Sequence, residues 1–103
     1  MNPMKKIEAV IQAVREGDVV DALRKIQVGG FSISEGRGCG KSSNDFTNIE
    51  TICTVVEDSN VNKVVAAIVE AAHMSTTGDG KIFVSPVENV TDISTKEQGE
   101  KHL

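Results

Sequence analysis

Apolar and polar positions alternate near the start of the chain. Over residues 4–13, Ile7, Ala9 and Ile11 share one side of an extended backbone, and the positions between them are mostly polar. A period of two is typical of a β-strand with one buried face. The pattern therefore predicts a first strand over residues 4–13.

The spacing changes to a helical one in the next segment. Val19, Leu23 and Ile26 fall at i, i+4 and i+7, which gives a single apolar stripe. Asp18 is a residue type that caps helix N-termini, and the glycine pair at positions 29–30 is typical of a helix end. We expect the first helix to lie between these two signals.

The middle of the chain repeats the alternation of strand and helix. Residues 31–35 predict a second strand, and residues 36–48, rich in Gly, Ser and Asn, predict a loop. The β-branched residues 49–57 predict a third strand. A second helix is expected to follow, capped by Ser59 or Asn60. Its buried stripe comprises Val61, Val64, Val65, Ile68 and Ala72.

The last part of the chain completes the pattern. After a loop over residues 73–80, residues 81–90 predict a fourth strand, in which Pro86 needs an edge or a break because it lacks an N–H. The polar tail, about residues 91–103, is expected to fray. The order βαββαβ predicts an α+β ferredoxin-like fold, with two helices on one face of an antiparallel sheet. We expect one domain over residues 1–103, with its core at about 4–90.

Composition excludes several classes of function. The chain has 103 residues, a net charge of -4, no Trp, no Tyr and three Phe. A nucleic-acid-binding protein normally shows a basic face or stacking aromatics. The apolar runs are too short for a membrane span, and the N-terminus lacks a signal-peptide core. We expect a cytoplasmic protein that neither binds nucleic acid nor inserts into a membrane.

No catalytic or metal site is evident from the residue types. Cys39 and Cys53 do not make a disulfide framework, and no CxxC or HxxxH spacing points to zinc. Glu50, Glu57 and Glu70 fall on separate predicted elements and are expected to be solvated. We see no nucleophile–base pair and no two-carboxylate metal site. The expectation is therefore a protein that is not an enzyme.

Two glycines and a lysine precede the fourth strand and suggest an anion site. Glycine lets backbone N–H groups approach phosphate oxygens closely, and a lysine adds a suitable point charge. Gly78, Asp79, Gly80 and Lys81 would then form half of an anion cradle. The alternative is a plain tight turn into a strand, with Lys81 solvated.

Several segments resemble the PII signalling proteins. The similarity covers about residues 4–90 and includes GDVVDALRKIQVGGFSISE, GRGCG and, most specifically, GDGKIFVSPVE. The resemblance implies a homotrimer that binds adenine nucleotides in clefts between subunits. It also implies a T-loop between the second and third strands that docks on a protein partner.

The resemblance also implies which residues form the nucleotide site. Residues 78–81 would hold the phosphates, while backbone and apolar groups near residue 30 would hold the adenine. The complete predicted nucleotide-binding set is Gly30, Phe31, Ser32, Gly38, Lys41, Val65, Gly78, Asp79, Gly80 and Lys81.

The chain departs from the family pattern at functionally important positions. The T-loop is shortened by about a dozen residues and has no tyrosine for uridylylation, while Ser42 replaces a family glutamine. Lys41 replaces an arginine, and Asp92 and Ser94 stand where two phosphate-binding arginines are expected. Because cations are lost, we expect AMP or ADP to be favoured over ATP.

The short loop resembles that of PII-like proteins associated with carboxysomes or bicarbonate transport. This resemblance implies a partner of that kind, a transporter or a carboxysome-related component. It makes bicarbonate a candidate ligand of Arg37, Gly38 and Lys41, unless these residues are merely solvated. The alternative is a conventional PII regulator of ammonium transport or nitrogen assimilation that binds ATP or ADP with 2-oxoglutarate. The residues predicted to contact the partner are Gly36, Arg37, Cys39, Ser42, Ser43 and Phe46.

Overall fold

The fold is seen in a computed structural model that describes residues 3–41 and 44–103. The chain forms strand β1, helix α1, strands β2 and β3, helix α2 and strand β4. Their bounds are β1 Met4–Gln12, α1 Glu16–Lys25, β2 Ser32–Gly38, β3 Thr47–Glu57, α2 Val61–Ala72 and β4 Gly80–Val87. No helix in this described part of the chain combines the length and the apolar character that crossing a membrane would need.

The four strands form one antiparallel sheet in the order β2-β3-β1-β4. Ile7, Ala9 and Ile11 point to one face, where they meet Leu23 of α1 and Ile68 of α2 in a single apolar core. Both helices therefore cover the same face of the sheet. This arrangement confirms the predicted ferredoxin-like fold and leaves β2 and β4 as the two edges.

Both helices begin differently from the prediction. α1 starts at Glu16 rather than after Asp18, and the side chain of Asp18 pairs with Arg15 at 3.1 Å instead of capping the helix. Asn60 occupies the N-cap position of α2, but its side chain makes no capping hydrogen bond. Each helix continues from a 3-10 turn, whose first carbonyl accepts a bond from the N–H of Glu16 or of Val61. The turns thus replace side-chain caps.

The connection between β2 and β3 is shorter than the predicted loop over residues 36–48. Gly36, Arg37 and Gly38 belong to β2 and pair with residues 47–49 of β3. The hairpin therefore extends along two strands and leaves only residues 39–46 as the connection. The loop prediction was wrong here because cross-strand hydrogen bonds can hold a glycine-rich stretch that carries no apolar alternation.

The polar tail does not fray as predicted. Thr91 pairs with Gln98, and the backbone N–H groups of Asp92 and Lys96 bond across the intervening turn at 2.8 Å each. His102 is largely buried, with Nδ1 lying 3.6 Å from Asp92. β4 ends at Val87, so residues 91–103 form a folded-back segment rather than an extension of the last strand.

Candidate functional site

The loop between α2 and β4 is organised around the carboxylate of Asp79. This carboxylate accepts hydrogen bonds from the hydroxyl of Thr76 at 2.6 Å and from the backbone N–H of Met74 at 2.7 Å. The hydroxyl of Thr76, followed by the N–H of Met74, lowers the pKa of Asp79. Asp79 therefore stabilises the shape of the loop.

Two glycines of the loop have different tasks. The carbonyl of Gly78 accepts a hydrogen bond from Gln12 Nε2 at 2.7 Å. The backbone N–H of Gly78 donates a hydrogen bond to Thr76 Oγ1 at 3.3 Å. The N–H of Gly78 is thus already engaged within the loop. Gly80 has a φ of +127°, and a Cβ built there would overlap the carbonyl oxygen of Val10. Gly80 is required for the close pairing of β4 with β1.

Lys81 is the second residue of β4, and its side chain remains available to a ligand. It pairs with Val10 in the sheet, its side chain is exposed, and no ion pair links it to another described residue. A cavity of about 370 Å³ opens beside it, between the edge of the sheet and α2. Residues lining this cavity include Val65, Thr76, Asp79, Gly80, Lys81 and Ile82. The structure thus brings Val65 together with the loop at residues 78–81.

The remaining predicted nucleotide-binding residues lie on or near the opposite edge. The carbonyl of Gly30 accepts a hydrogen bond from Thr54 at 2.5 Å, Phe31 packs against the core, and Ser32 begins β2. In the sheet, Lys81 and Ser34 belong to one row that also contains Val10 and Thr51. Three strand spacings therefore separate the two edges, about 14 Å. One chain does not bring the two groups of residues together.

The candidate anion and partner residues are found around the β2–β3 hairpin. The guanidinium of Arg37 lies 5.2 Å from the ring centroid of Phe46, within cation–π range. Arg37 was expected in a loop but lies on a strand, with Gly38 beside it against Ile49. Lys41 is exposed in the connection, as are Cys39 and Gly36 at its base. Ser42 and Ser43 lie outside the described residues.

The structure also brings Asp79 together with two residues outside the predicted site, His73 and Ser75. His73 Nδ1 lies 3.2 Å from Asp79, while Nε2 of the same ring lies 3.3 Å from the hydroxyl of Ser75. The order serine, histidine and aspartate matches that of a nucleophile–base relay. The side chain of His73 is 62% exposed, however, so water screens the group and nothing excludes solvent from Ser75. We interpret these contacts as part of the loop's internal bonding.

Arg15 fixes the other end of this loop and was likewise missed. Its guanidinium donates two hydrogen bonds, at 2.7 and 3.1 Å, to the carbonyl of Ala71 in the last turn of α2. The end of the helix, and hence the start of the loop, is therefore tied to the beginning of α1. No local sequence signal marks this contact, because 56 positions separate the two residues.

No metal site is indicated in the part of the chain that the structure covers. Over residues 3–41 and 44–103, no three side chains of the His, Cys, Asp or Glu types are grouped so that they could hold an ion. The candidate site is therefore described by its hydrogen-bond donors, its lysine and the adjoining cavity.

Replacing Asp79 with asparagine is expected to loosen the loop without unfolding the protein. The folded-state pKa of Asp79 is lowered, so its contribution is present above its unfolded pKa and is lost as pH falls through the folded value. After correction for intrinsic chemical exchange, opening of the Met74 amide should increase in Asp79→Asn at neutral pH and in the wild type in acid. Asp21→Asn, an exposed position on α1, is the control. Equal Met74 exchange in all three proteins would contradict this role for Asp79.

Comparison with known proteins gives a consistent picture. The family model described as Nitrogen regulatory protein P-II matches residues 4–97. The P-II protein of Azospirillum brasilense is 39% identical, covering 93% of this chain and 96% of the relative, and that of Cereibacter sphaeroides is 38% identical, covering 94% and 97%.

A solved structure agrees with these sequence comparisons. The crystal structure of Arabidopsis thaliana PII bound to citrate superposes with a TM-score of 0.89 at 36% identity, covering 99% of this chain and 94% of that one. Family model, relatives and structure together confirm the resemblance inferred from residues 4–90. The chain belongs to the P-II family, whose members are signal-transduction proteins rather than enzymes.

Proposed function

We propose that this single-domain chain is a cytoplasmic sensor that binds AMP or ADP in clefts between the subunits of a homotrimer. The observation that carries the proposal is the division of the candidate site. Lys81 and Val65 lie at the β4 edge, whereas Gly30, Phe31 and Ser32 lie toward the β2 edge. A nucleotide that contacts both groups must lie where the β4 edge of one subunit meets the β2 edge of another.

The face of the sheet opposite the helices supports self-association. Alternation along the strands directs Val10, Cys53, Val55 and Phe83 to this face. The first three are only half-buried in the single chain, and Phe83 is 54% exposed. Apolar side chains gathered on an uncovered face favour burial against other copies. A trimer in which the sheets pack together would supply this burial and create the clefts.

Asp92 supports a preference for nucleotides that carry fewer phosphates than ATP. Its Oδ1 atom accepts hydrogen bonds from the backbone N–H and the hydroxyl of Ser94, at 2.9 and 3.0 Å. These bonds, the backbone one first, lower the pKa of Asp92 and keep its carboxylate charged. Positions 92 and 94 therefore supply a negative charge and a hydroxyl where the resemblance implied two arginines. We infer that these two positions stabilise bound ATP less than they stabilise bound AMP or ADP.

The shortened loop is supported by the lengths of the alignments. The Azospirillum alignment has 108 positions but spans 93% of a chain of 103 residues, which is about 96 residues. About a dozen positions of the relative therefore lack a counterpart. We propose that the missing residues belong to the T-loop. Phe46, 58% exposed and held by Arg37, would then be an anchor for a transporter or a carboxysome-related partner.

Bicarbonate is proposed as the second ligand, held by Arg37, Gly38 and Lys41 near the hairpin end. The alternative is a conventional PII regulator that binds ATP or ADP with 2-oxoglutarate and controls ammonium transport or nitrogen assimilation. The relatives named nitrogen regulatory protein P-II favour that alternative. Citrate, a carboxylate, is bound in the Arabidopsis structure. This observation is compatible with either bicarbonate or 2-oxoglutarate as the second ligand.

Calorimetry distinguishes the two proposals. We expect AMP or ADP to bind at least about tenfold more tightly than ATP, since each missing charge-assisted contact is worth roughly 1.5–3 kcal/mol. Bicarbonate, but not 2-oxoglutarate, should change these affinities. Restoring a cation with Asp92→Arg should improve ATP binding more than AMP binding. Strong ATP binding that depends on 2-oxoglutarate would favour the conventional regulator, and a monomer without nucleotide binding would refute both proposals.

A further inference from the structure

A buried carboxyl group lies beneath the base of the β2–β3 hairpin. Glu50 was expected to be solvated, but only 6% of the residue is exposed. Among the described residues, Glu50 and Thr54 are the buried polar ones. Thr54 donates a hydrogen bond to Gly30, whereas the buried Oε1 atom of Glu50 has no hydrogen-bond partner. Glu50 therefore requires a physical explanation.

The ionisable groups facing Glu50 are also acidic. Glu35 of β2 lies directly opposite it in the sheet, and Ile11 of β1 lies on its other side. Glu16, the first residue of α1, is the neighbour whose side chain contributes most to raising the pKa of Glu50. The guanidinium of Arg15 is directed instead to Ala71 and to Asp18. Glu50 thus has an acidic neighbour on β2 and another on α1, and Arg15 supplies no cation to it.

Such a pair holds together only when it shares a proton. A hydrogen bond between two carboxyl groups needs one of them to be protonated, and two close carboxylates repel each other. The hydrogen bond to Glu16, followed by burial and the repulsion of Glu16 and Glu35, raises the pKa of Glu50 to about 7. The shared proton is therefore lost and gained near neutral pH.

We propose that Glu16 and Glu50 form a proton-operated latch that fastens the base of the β2–β3 hairpin to the start of α1. The pair Glu35–Glu50 is the fourth from the end of the hairpin, where Gly38 pairs with Thr47. Every residue of β2 except Gly38 is exposed, so little burial holds this edge strand. Like charges directly opposite each other weaken strand pairing. Loss of the proton should therefore loosen β2 and change the position of the β2–β3 connection, which is proposed to contact the protein partner.

The direction of the pH effect follows from the raised pKa. Between the unfolded value of 4.5 and the folded value of about 7, the folded protein binds more protons than the unfolded chain. Stability is therefore greatest in mild acid and falls as pH rises through this window. The equilibrium constant for opening should increase at least about tenfold between about pH 5.5 and about pH 8.

Hydrogen exchange of the amides of residues 32–38 tests the latch. We would compare the wild type with Glu50→Gln, Glu16→Gln and the control Glu70→Gln, which changes an exposed residue of α2. Rates would be corrected for intrinsic chemical exchange and measured without nucleotide or inorganic carbon. The wild type and Glu70→Gln should show the tenfold increase in opening, and Glu50→Gln should show none.

Glu16→Gln keeps the test decisive if Glu50→Gln fails to fold. It removes the facing charge at a half-exposed position, so the pH response of β2 should shift to lower pH. A carboxyl NMR titration of Glu50 in the wild type provides a second readout. Opening of β2 that is independent of pH, or titration of Glu50 near 4.5, would refute the latch. Because no ligand is present, neither result depends on the proposed nucleotide binding.

Discussion

Replacing Gly80 with alanine is expected to destabilise the protein by about 3 kcal/mol or more, because two penalties add at one position. The φ of +127° lies in a region that residues with a Cβ rarely adopt, and the new Cβ would overlap the carbonyl oxygen of Val10. Either β4 separates from β1 at this end, or the turn before it is rebuilt. Both outcomes remove pairing that the sheet needs.

Gly36→Ala is the matched control for this prediction. Gly36 lies in β2, a Cβ there would meet nothing within 4 Å, and its φ lies outside the positive range. Its stability should change by only a few tenths of a kcal/mol. Both variants should be compared by chemical denaturation at one protein concentration, since self-association would couple to folding. Equal stability of Gly80→Ala and Gly36→Ala would contradict the β1–β4 pairing described above.

The main elements follow from the sequence because each strand and helix must bury one stripe of apolar residues. Ile7 and Ile11 in β1, and Val19 and Leu23 in α1, are buried as the periodicity predicted. The tail is polar and carries no such pattern. It is ordered by contacts such as the pairing of Thr91 with Gln98, which depend on the turn between them and which periodicity cannot predict.

The site was predicted less completely, for a related reason. The motif at residues 78–81 marked the end of a loop, since glycine and aspartate have strong local preferences, and the lysine that follows is an exposed residue of β4. Gln12, which bonds to Gly78 across 66 positions, could not be found without the strand register. Glu50 was misassigned because a carboxylate in a strand is usually solvated. Its burial becomes evident only in the folded structure.

The structure divides the glycine–lysine motif into a structural part and a candidate binding part. Gly80 is needed for the sheet, Asp79 for the loop, and the N–H of Gly78 is taken by Thr76. The classical interpretation of such a motif, in which every glycine exposes its backbone to a phosphate, therefore does not hold for all of these residues. Most of the proposed phosphate attraction at this edge must then come from Lys81.

Lys81→Ala is accordingly expected to weaken binding of AMP or ADP at least about tenfold, the loss of a charge-assisted contact worth roughly 1.5–3 kcal/mol. Stability should be almost unchanged, because the exposed side chain makes no ion pair with any described residue. Lys81→Arg should retain most of the affinity. Lys25→Ala, at an exposed position of α1, controls for the general loss of one positive charge.

Gly78→Ala separates the remaining backbone contribution from that of the lysine. A Cβ there would approach only Gln12 Nε2, at 4.0 Å, so the fold should tolerate it. If a phosphate lies against this backbone, affinity should fall while stability is kept. If Lys81→Ala and Gly78→Ala both bind nucleotide like the wild type, residues 78–81 are no more than a tight turn into β4. The site between subunits would then have to be sought elsewhere, because the lysine and the bare backbone are what make this edge attractive to an anion.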